Sequence, residues 1–226
     1  MAVDKLVDSA QLNADLTSVA NAIRTKGGTS AQLAFPAGFV SAVEAIPTGA
    51  KNDNVMKSVK TLGNNSFENM ALGTVLNFEN LKTVGQRTFK GVTGPEIGVF
   101  PSLTTAGSYM FADVVNSFRL LDFGAISSIS SYLFSSADAI LDVLILRKTS
   151  VVTLSAVNAF GGTAFSLAGS GGVSGAGGTL YVPSDLISSY QAATNWSTIL
   201  GYTNNQILSI EGSIYETQYA DGTPIA

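Results

Sequence analysis

The sequence predicts a mostly β chain of the α+β class. A short N-terminal helix–loop–helix leads into a repeat solenoid of about five coils of about 22 residues, and a strand–helix cap closes the C-terminal end. Three observations carry this reading. A phrase of the form apolar-x-[Thr/Ser]-apolar returns at near-constant spacing, a Phe follows each copy, and a short β-like run precedes each new one.

Residues 1–46 form the helical segment. In SAQLNADLTSVANAIRTKGG, Leu12, Leu16, Val19 and Ile23 repeat at helical spacing, with Ser9 as N-cap and Lys26-Gly27 as the stop. Pro36 suits the first turn of a second helix, whose apolar face is Phe39, Val40, Val43 and Ile46. A unit this small buries too little to be robust alone. Its apolar residues Leu12, Leu16, Val19, Ile23, Phe39 and Val43 are therefore expected to dock onto the rest of the chain, a sister copy or a larger particle. A turn-rich linker, 47–54, follows.

The repeat domain is read over 55–165. The phrase starts at Val59, Leu81, Leu103, Ile126 and Val151, with spacings of 22, 22, 23 and 25 residues. Phe67, Phe89, Phe111, Phe134 and Phe160 follow in step. Gly63, Gly85 and Gly107 close the phrase in the first three copies, and Ser130 and Ser155 replace them later. Phe78, Phe100, Phe123 and Leu146 end the runs TVLNF, EIGVF, RLLDF and DVLIL. Three columns moving together imply one stacked unit per repeat, each burying its apolar side against its neighbours. The Phe column reads as repeat core, because it runs in register with Leu and Val columns, rather than as an exposed stacking platform. The Thr/Ser column (Thr61, Thr83, Thr105, Ser128, Thr153) reads either as a structural ladder between coils or as a hydroxyl row that contacts glycans. Val99 and Ile145 fall at outward positions of their strands and are candidates for an oligomer or docking surface.

Residues 166–178 are a Gly/Ser-rich loop without the Lys-Ser/Thr ending of a phosphate loop. The cap spans 179–212. It has a strand at Thr179 to Val182, a helix with Ser184 as N-cap and Leu186, Ile187 and Tyr190 on its apolar face, Trp196 just beyond, and a further strand within Ile207 to Gly212. Residues 213–226 read as a polar tail with turn signals.

Composition excludes several functions. Charged residues make up 12% of the chain, about half the usual share of about 25%. So weakly charged a surface gives little repulsion between copies and suits an assembly. Net charge is −4, and the longest basic cluster is Arg147-Lys148, so nucleic acid is not an expected partner. There is no Cys and no His. This removes disulfides, thiol chemistry, thiolate metal sites and the usual neutral-pH general base. Asp113, Asp122, Asp138 and Asp142 do not recur with the repeat and read as solvated turn residues rather than an acid–base pair. No catalytic, metal or cofactor residues are expected. The start MAVDKLVDSAQL is not a secretory signal. The most apolar run, AILDVLILRK, is too short to span a bilayer. Synthesis in a cytoplasm and no membrane insertion follow as expectations.

The repeat resembles the BspA-type leucine-rich repeat. LKTVGQRTF is close to that family's pattern, and TLYVPSDLISSYQAATNWSTI looks like the terminal segment common in such proteins. The resemblance covers about residues 55–212. It departs at the strand-closing Pro, kept only as Pro101 and Pro183, and at the Gly lost from the fourth and fifth coils. The opening LTSVANAIRTKGGTSAQLAFPAGFVSAVEAI is similar to a helical segment recurring in structural proteins of phages of Gram-positive bacteria, where it often precedes such repeats or other tail modules.

Together the resemblances imply a non-enzymatic virion structural protein. The role expected first is a tail or baseplate fibre or receptor-binding subunit that attaches to the host envelope. A head fibre or capsid decoration protein is the alternative on the same virion, and a bacterial surface adhesin the alternative outside it. Expected partners are other virion proteins, further copies of the chain (a trimer is compatible) and a host-surface glycan or protein. The expected host-contact residues are Lys60, Thr61, Lys82, Thr83, Thr104 and Thr105.

Overall fold

In a computed structural model of the chain, residues 17, 20, 21, 56–115, 117–135, 141–165, 177–202 and 204–225 are described. The expected docking residues Leu12, Leu16, Val19, Ile23, Phe39 and Val43 lie outside them, as do the 47–54 linker, residues 166–176 of the loop and Asp138. Thr17, Ala20 and Asn21, of the first expected helix, are helical. The chain divides into two compact units, Met1–Asn52 and Asp53–Ala226.

The second unit is built from parallel strands. Six form one sheet: β2 (Val75–Asn77), β4 (Ile97–Phe100), β5 (Leu120–Phe123), β7 (Val143–Leu146), β9 (Thr179–Val182) and β10 (Gln206–Ser209), side by side in that order. Four shorter strands make a second ladder: β1 (Thr61–Leu62), β3 (Thr83–Val84), β6 (Ser128–Ile129) and β8 (Thr153–Leu154). β1 pairs with β3 and β6 with β8, and single bridges Thr83–Thr105 and Thr105–Ser128 join the two pairs. Each repeat thus supplies one rung to each ladder. Register follows from the alternation of side chains across a strand. Leu76, Gly98, Leu121, Leu144 and Leu180 align facing the core, and Asn77, Val99, Asp122, Ile145 and Tyr181 align facing away.

The core between the ladders is aromatic. Phe67, Phe89, Phe111, Phe134 and Phe160 form one continuous stack, with successive ring centroids 5.4, 5.7, 5.2 and 6.4 Å apart. Phe78, Phe100 and Phe123 form a second, at 5.9 and 5.5 Å. Phe89, Phe111, Phe134 and Phe160 have no exposed surface, while Phe67, in the first repeat, is half-buried. Offset ring stacking rewards a Phe at the same place in each repeat beyond its burial alone.

The Gly column has a steric cause. A Cβ at Gly85 would meet the Asn64 backbone nitrogen at 2.5 Å, and one at Gly107 would run into the Gly85 carbonyl. Across the first three repeats, successive turns approach too closely at Gly85 and Gly107 for a Cβ, whereas Gly63, at the start of the row, has room for one. Where Ser130 replaces Gly, its hydroxyl donates to the Ala106 carbonyl at 2.8 Å.

At the C-terminal end, a 3-10 turn at Ser184–Leu186 runs into helix α1 (Ile187–Ala192), and α2 (Trp196–Leu200) follows. Two local expectations change. Ser184 is not the N-cap but the first residue of the 3-10 turn, after Pro183, and its N–H donates to the Glu211 carboxylate at 2.9 Å. Trp196 is not merely beyond a helix but opens a second one, fully buried. Its Nε1–H donates to the Val152 carbonyl at 2.7 Å, the Val152 N–H donates to the Tyr190 hydroxyl at 3.0 Å, and the Asn195 amide donates to the Leu154 carbonyl at 2.7 Å. β8 is the last rung of its ladder, and these three side chains take backbone groups that a next strand would have paired.

Candidate binding surface

The short ladder carries the expected contact residues. Thr61, Thr83 and Thr105 lie in register and are exposed, and Ser128 and Thr153 continue the row. Lys60, Lys82 and Thr104 stand beside them, one residue earlier in each repeat, and are also exposed. The hydroxyls divide between two tasks. Thr104 and Ser127 donate to the carbonyls of Lys82 and Thr104 in the preceding repeat, both at 3.0 Å, and so tie repeats together. Thr83 donates to the Thr61 hydroxyl at 3.2 Å on the exposed row itself. Structural and surface-facing hydroxyls thus sit in adjacent columns.

A second column, exposed at Asn65, Arg87 and Tyr132 and half-buried at Tyr109, lies just beyond the Gly corner. Asn65, Arg87, Tyr109 and Tyr132 occupy equivalent positions, all left-handed, with φ of 57°, 56°, 60° and 59°. Gly or Asn adopts this conformation at least strain, yet three of the four are large. Tyr109 and Tyr132 stack nearly parallel at 5.4 Å, and the Arg87 guanidinium lies 5.6 Å from the Tyr109 ring centroid. Residue type does not mark this column in the sequence, because it changes from Asn to Arg to Tyr over the first three repeats and recurs only once, as Tyr132. The signal available was position, six residues after each phrase start.

The charged side chains of the repeats are unevenly paired. Arg119 pairs with Asp142 at 2.6 Å, and Lys90 bridges Glu68 and Asp113 at 3.3 and 3.4 Å. Hydrogen bonds first to Glu68 and then to Asp113 raise the Lys90 ammonium above its ordinary value. Lys60, Lys82 and Arg87 are exposed and cluster within the first two repeats.

Two expectations about the opposite face are corrected. Asp122 is not a solvated turn residue. It sits in β5 with no exposed surface and is gripped by Arg147, whose Nε and Nη2 each donate at 2.7 Å. Burial pushes the Asp122 carboxyl above its ordinary value, against the opposing pull of Arg147 and of the Ala220 N–H. Val99 and Ile145 do face away from the core, but both have no exposed surface. The supposed polar tail accounts for this. Tyr215 packs on Tyr181, Arg147 donates to the carbonyls of Tyr215 and Gln218 at 2.6 and 2.9 Å, the Ala220 N–H donates to Asp122 at 2.9 Å, and Asn77 donates to Asp221 at 2.7 Å. Residues 215–221 therefore strap across the outward column from β9 to β2.

Among the described residues, no group of three or more His, Cys, Asp or Glu is placed to hold a metal ion, and no helix is long and apolar enough to cross a membrane. A shallow cleft between α2 and β10 is lined by Ser197, Leu200, Gly201, Asn205, Gln206 and Leu208.

A family model described as the BspA type leucine rich repeat region matches residues 49–166, in six copies. The spacing of the phrase predicts about five repeats over 55–165, one fewer than the six matched and starting some residues later, and the matched region ends before the cap. No curated protein and no solved structure gives a match.

Proposed function

The chain belongs to the BspA-type leucine-rich-repeat family, and from that premise we propose that it is a non-enzymatic binding protein whose repeats wind into a solenoid and present the short-ladder face to a partner. The observation that carries this reading is the in-register exposed row of Thr61, Thr83 and Thr105 with Lys60, Lys82 and Thr104 beside it. Repeated hydroxyls at fixed spacing suit a repeating ligand such as a surface glycan, and many weak contacts gain strength through copy number. Arg87, Tyr109 and Tyr132 extend the same surface.

The finer reading is a virion structural protein of a bacteriophage, a tail or baseplate fibre or receptor-binding subunit. The N-terminal helical segment docks to other virion proteins, and the repeats face the host envelope. Its support is the likeness of residues 16–46 to phage structural segments. A head fibre or decoration protein fits the same support.

The test has two arms. Purified chain should bind isolated host envelopes and block particle adsorption, and Lys82→Gln with Thr83→Val should lower that binding at least several-fold. Immunogold labelling should place the chain on particles, with the position of the gold separating head from tail. Failure to bind any envelope fraction would sink the adhesion role, and unlabelled particles would sink the virion role.

A further inference from the structure

The strap that covers the outward face of the six-stranded sheet is held in an unusual way. Three of its attachments read main-chain groups: the carbonyls of Tyr215 and Gln218 on Arg147, and the Ala220 N–H on Asp122. Two read aromatic side chains. Tyr215 meets Tyr181 edge-on at 5.0 Å, and Tyr219 lies 5.0 Å from the Arg147 guanidinium. The receiving groups belong to the sheet and its immediate flank, where Asp122 is fully buried and the Arg147 side chain is 12% exposed. Such a site recognises a turn-rich segment, closed on itself by the Gln218–Pro224 bridge, that carries two aromatic residues four apart.

The strap itself adds little to the core. Among the described residues, none after Ile210 is buried. It joins β10 through Glu211–Ile214, where Gly212 has φ of 78° and Ile214 is 68% exposed. The strap can lift away without opening the Phe stacks, leaving Val99 and Ile145 as apolar surface in need of cover.

We propose that the outward sheet face at Val99, Asp122, Ile145 and Tyr181 is a homotypic docking site, and that copies of this chain join by exchanging their C-terminal straps. A second copy brings the same segment with the same spacing, so each contact of the strap is reproduced across the pair, and exchange of an identical terminal element is a low-cost route to association. The low charge of the chain offers little repulsion against the approach. Reciprocal exchange closes a dimer, and one-way exchange extends a row. The inference deepens the expectation of further copies as partners and stands whether or not the particle is a virion.

The absence of Cys makes the test direct. Full-length Thr217→Cys, labelled with a donor on the strap, is mixed with full-length Thr149→Cys, labelled with an acceptor near Arg147. Energy transfer should grow with concentration, fall when excess unlabelled chain is added, and appear faster when the donor chain also carries Tyr219→Ala, because the strap must first undock. Deleting Gly212 and Ser213 shortens the connection and should at least double the mass measured by light scattering. No transfer between mixed full-length chains at any concentration would overturn the proposal, as would larger species that form without transfer. Adsorption assays do not enter either outcome.

Discussion

The Tyr190 hydroxyl accepts the Val152 N–H at 3.0 Å inside the core, 38 residues away in sequence. Tyr190→Phe removes the acceptor and leaves a buried donor unpaired, which should cost about 1–3 kcal/mol in denaturant unfolding. Burial pushes the Tyr190 phenol up to about 12. A raised folded value means that this contribution to stability is full below the ordinary phenol range and is lost as pH rises toward the folded value. Wild-type stability should therefore fall between about pH 10 and 12, and Tyr190→Phe should flatten that fall. An unchanged alkaline profile would place the phenol in solvent.

Phe89 touches Phe67, Phe78, Phe100, Phe111 and Phe118 within one aromatic cluster. Phe89→Ala should lower stability by about 3–5 kcal/mol, as a fully buried aromatic does. Phe67→Ala, at the half-buried end of the same stack, should cost less. Equal costs would mean that the first repeat is covered as fully as the second.

Two glycines give a matched pair. Gly107→Ala drives a Cβ into the Gly85 carbonyl and should destabilise by about 1–3 kcal/mol. Gly73→Ala has nothing within 4 Å of the new atom and should be neutral or stabilising by up to about 1 kcal/mol. Thermal unfolding of the two variants separates close approach of turns from loss of glycine flexibility.

The Asp122–Arg147 pair should behave asymmetrically. Either Asp122→Asn or Arg147→Met alone strands a buried group and should cost about 3–5 kcal/mol. The double change Asp122→Leu with Arg147→Met should recover much of that loss, while leaving the strap without its anchor. Limited proteolysis should then clip within residues 213–225 in the double variant and spare them in the wild type. Protection in both would show that the aromatic contacts alone hold the strap.

What the sequence made legible follows from what the fold repeats. The runs ending at Phe100, Phe123 and Leu146 are strands because four residues of each pair in register with the next run, which gives their backbone N–H and C=O groups partners. The contribution of residues 179–182 was readable for the same reason. What does not repeat was not readable. Asp122 looked like one of several scattered carboxylates, and its partner Arg147 lies 25 residues on. The strap contains no apolar periodicity, since its attachments use carbonyls, an N–H and two tyrosines. Asn65, Arg87 and Tyr109 share a backbone conformation but no side-chain chemistry, and the single recurrence of Tyr at 109 and 132 is too short to stand out as a pattern.

The short ladder also has a combinatorial consequence. Thr61, Thr83, Thr105, Ser128 and Thr153 are five successive rungs, spaced by one strand separation of about 4.7–4.9 Å. A partner that spans two rungs has four placements on these five, and that degeneracy alone favours association by about 0.8 kcal/mol. Such a partner can step between neighbouring placements without leaving the surface. Lys60 and Lys82 break the equivalence, because later repeats carry Thr104, Ser127 and Val152 at their place. A neutral chain would wander along the whole row, and an anionic one would settle on its first two rungs.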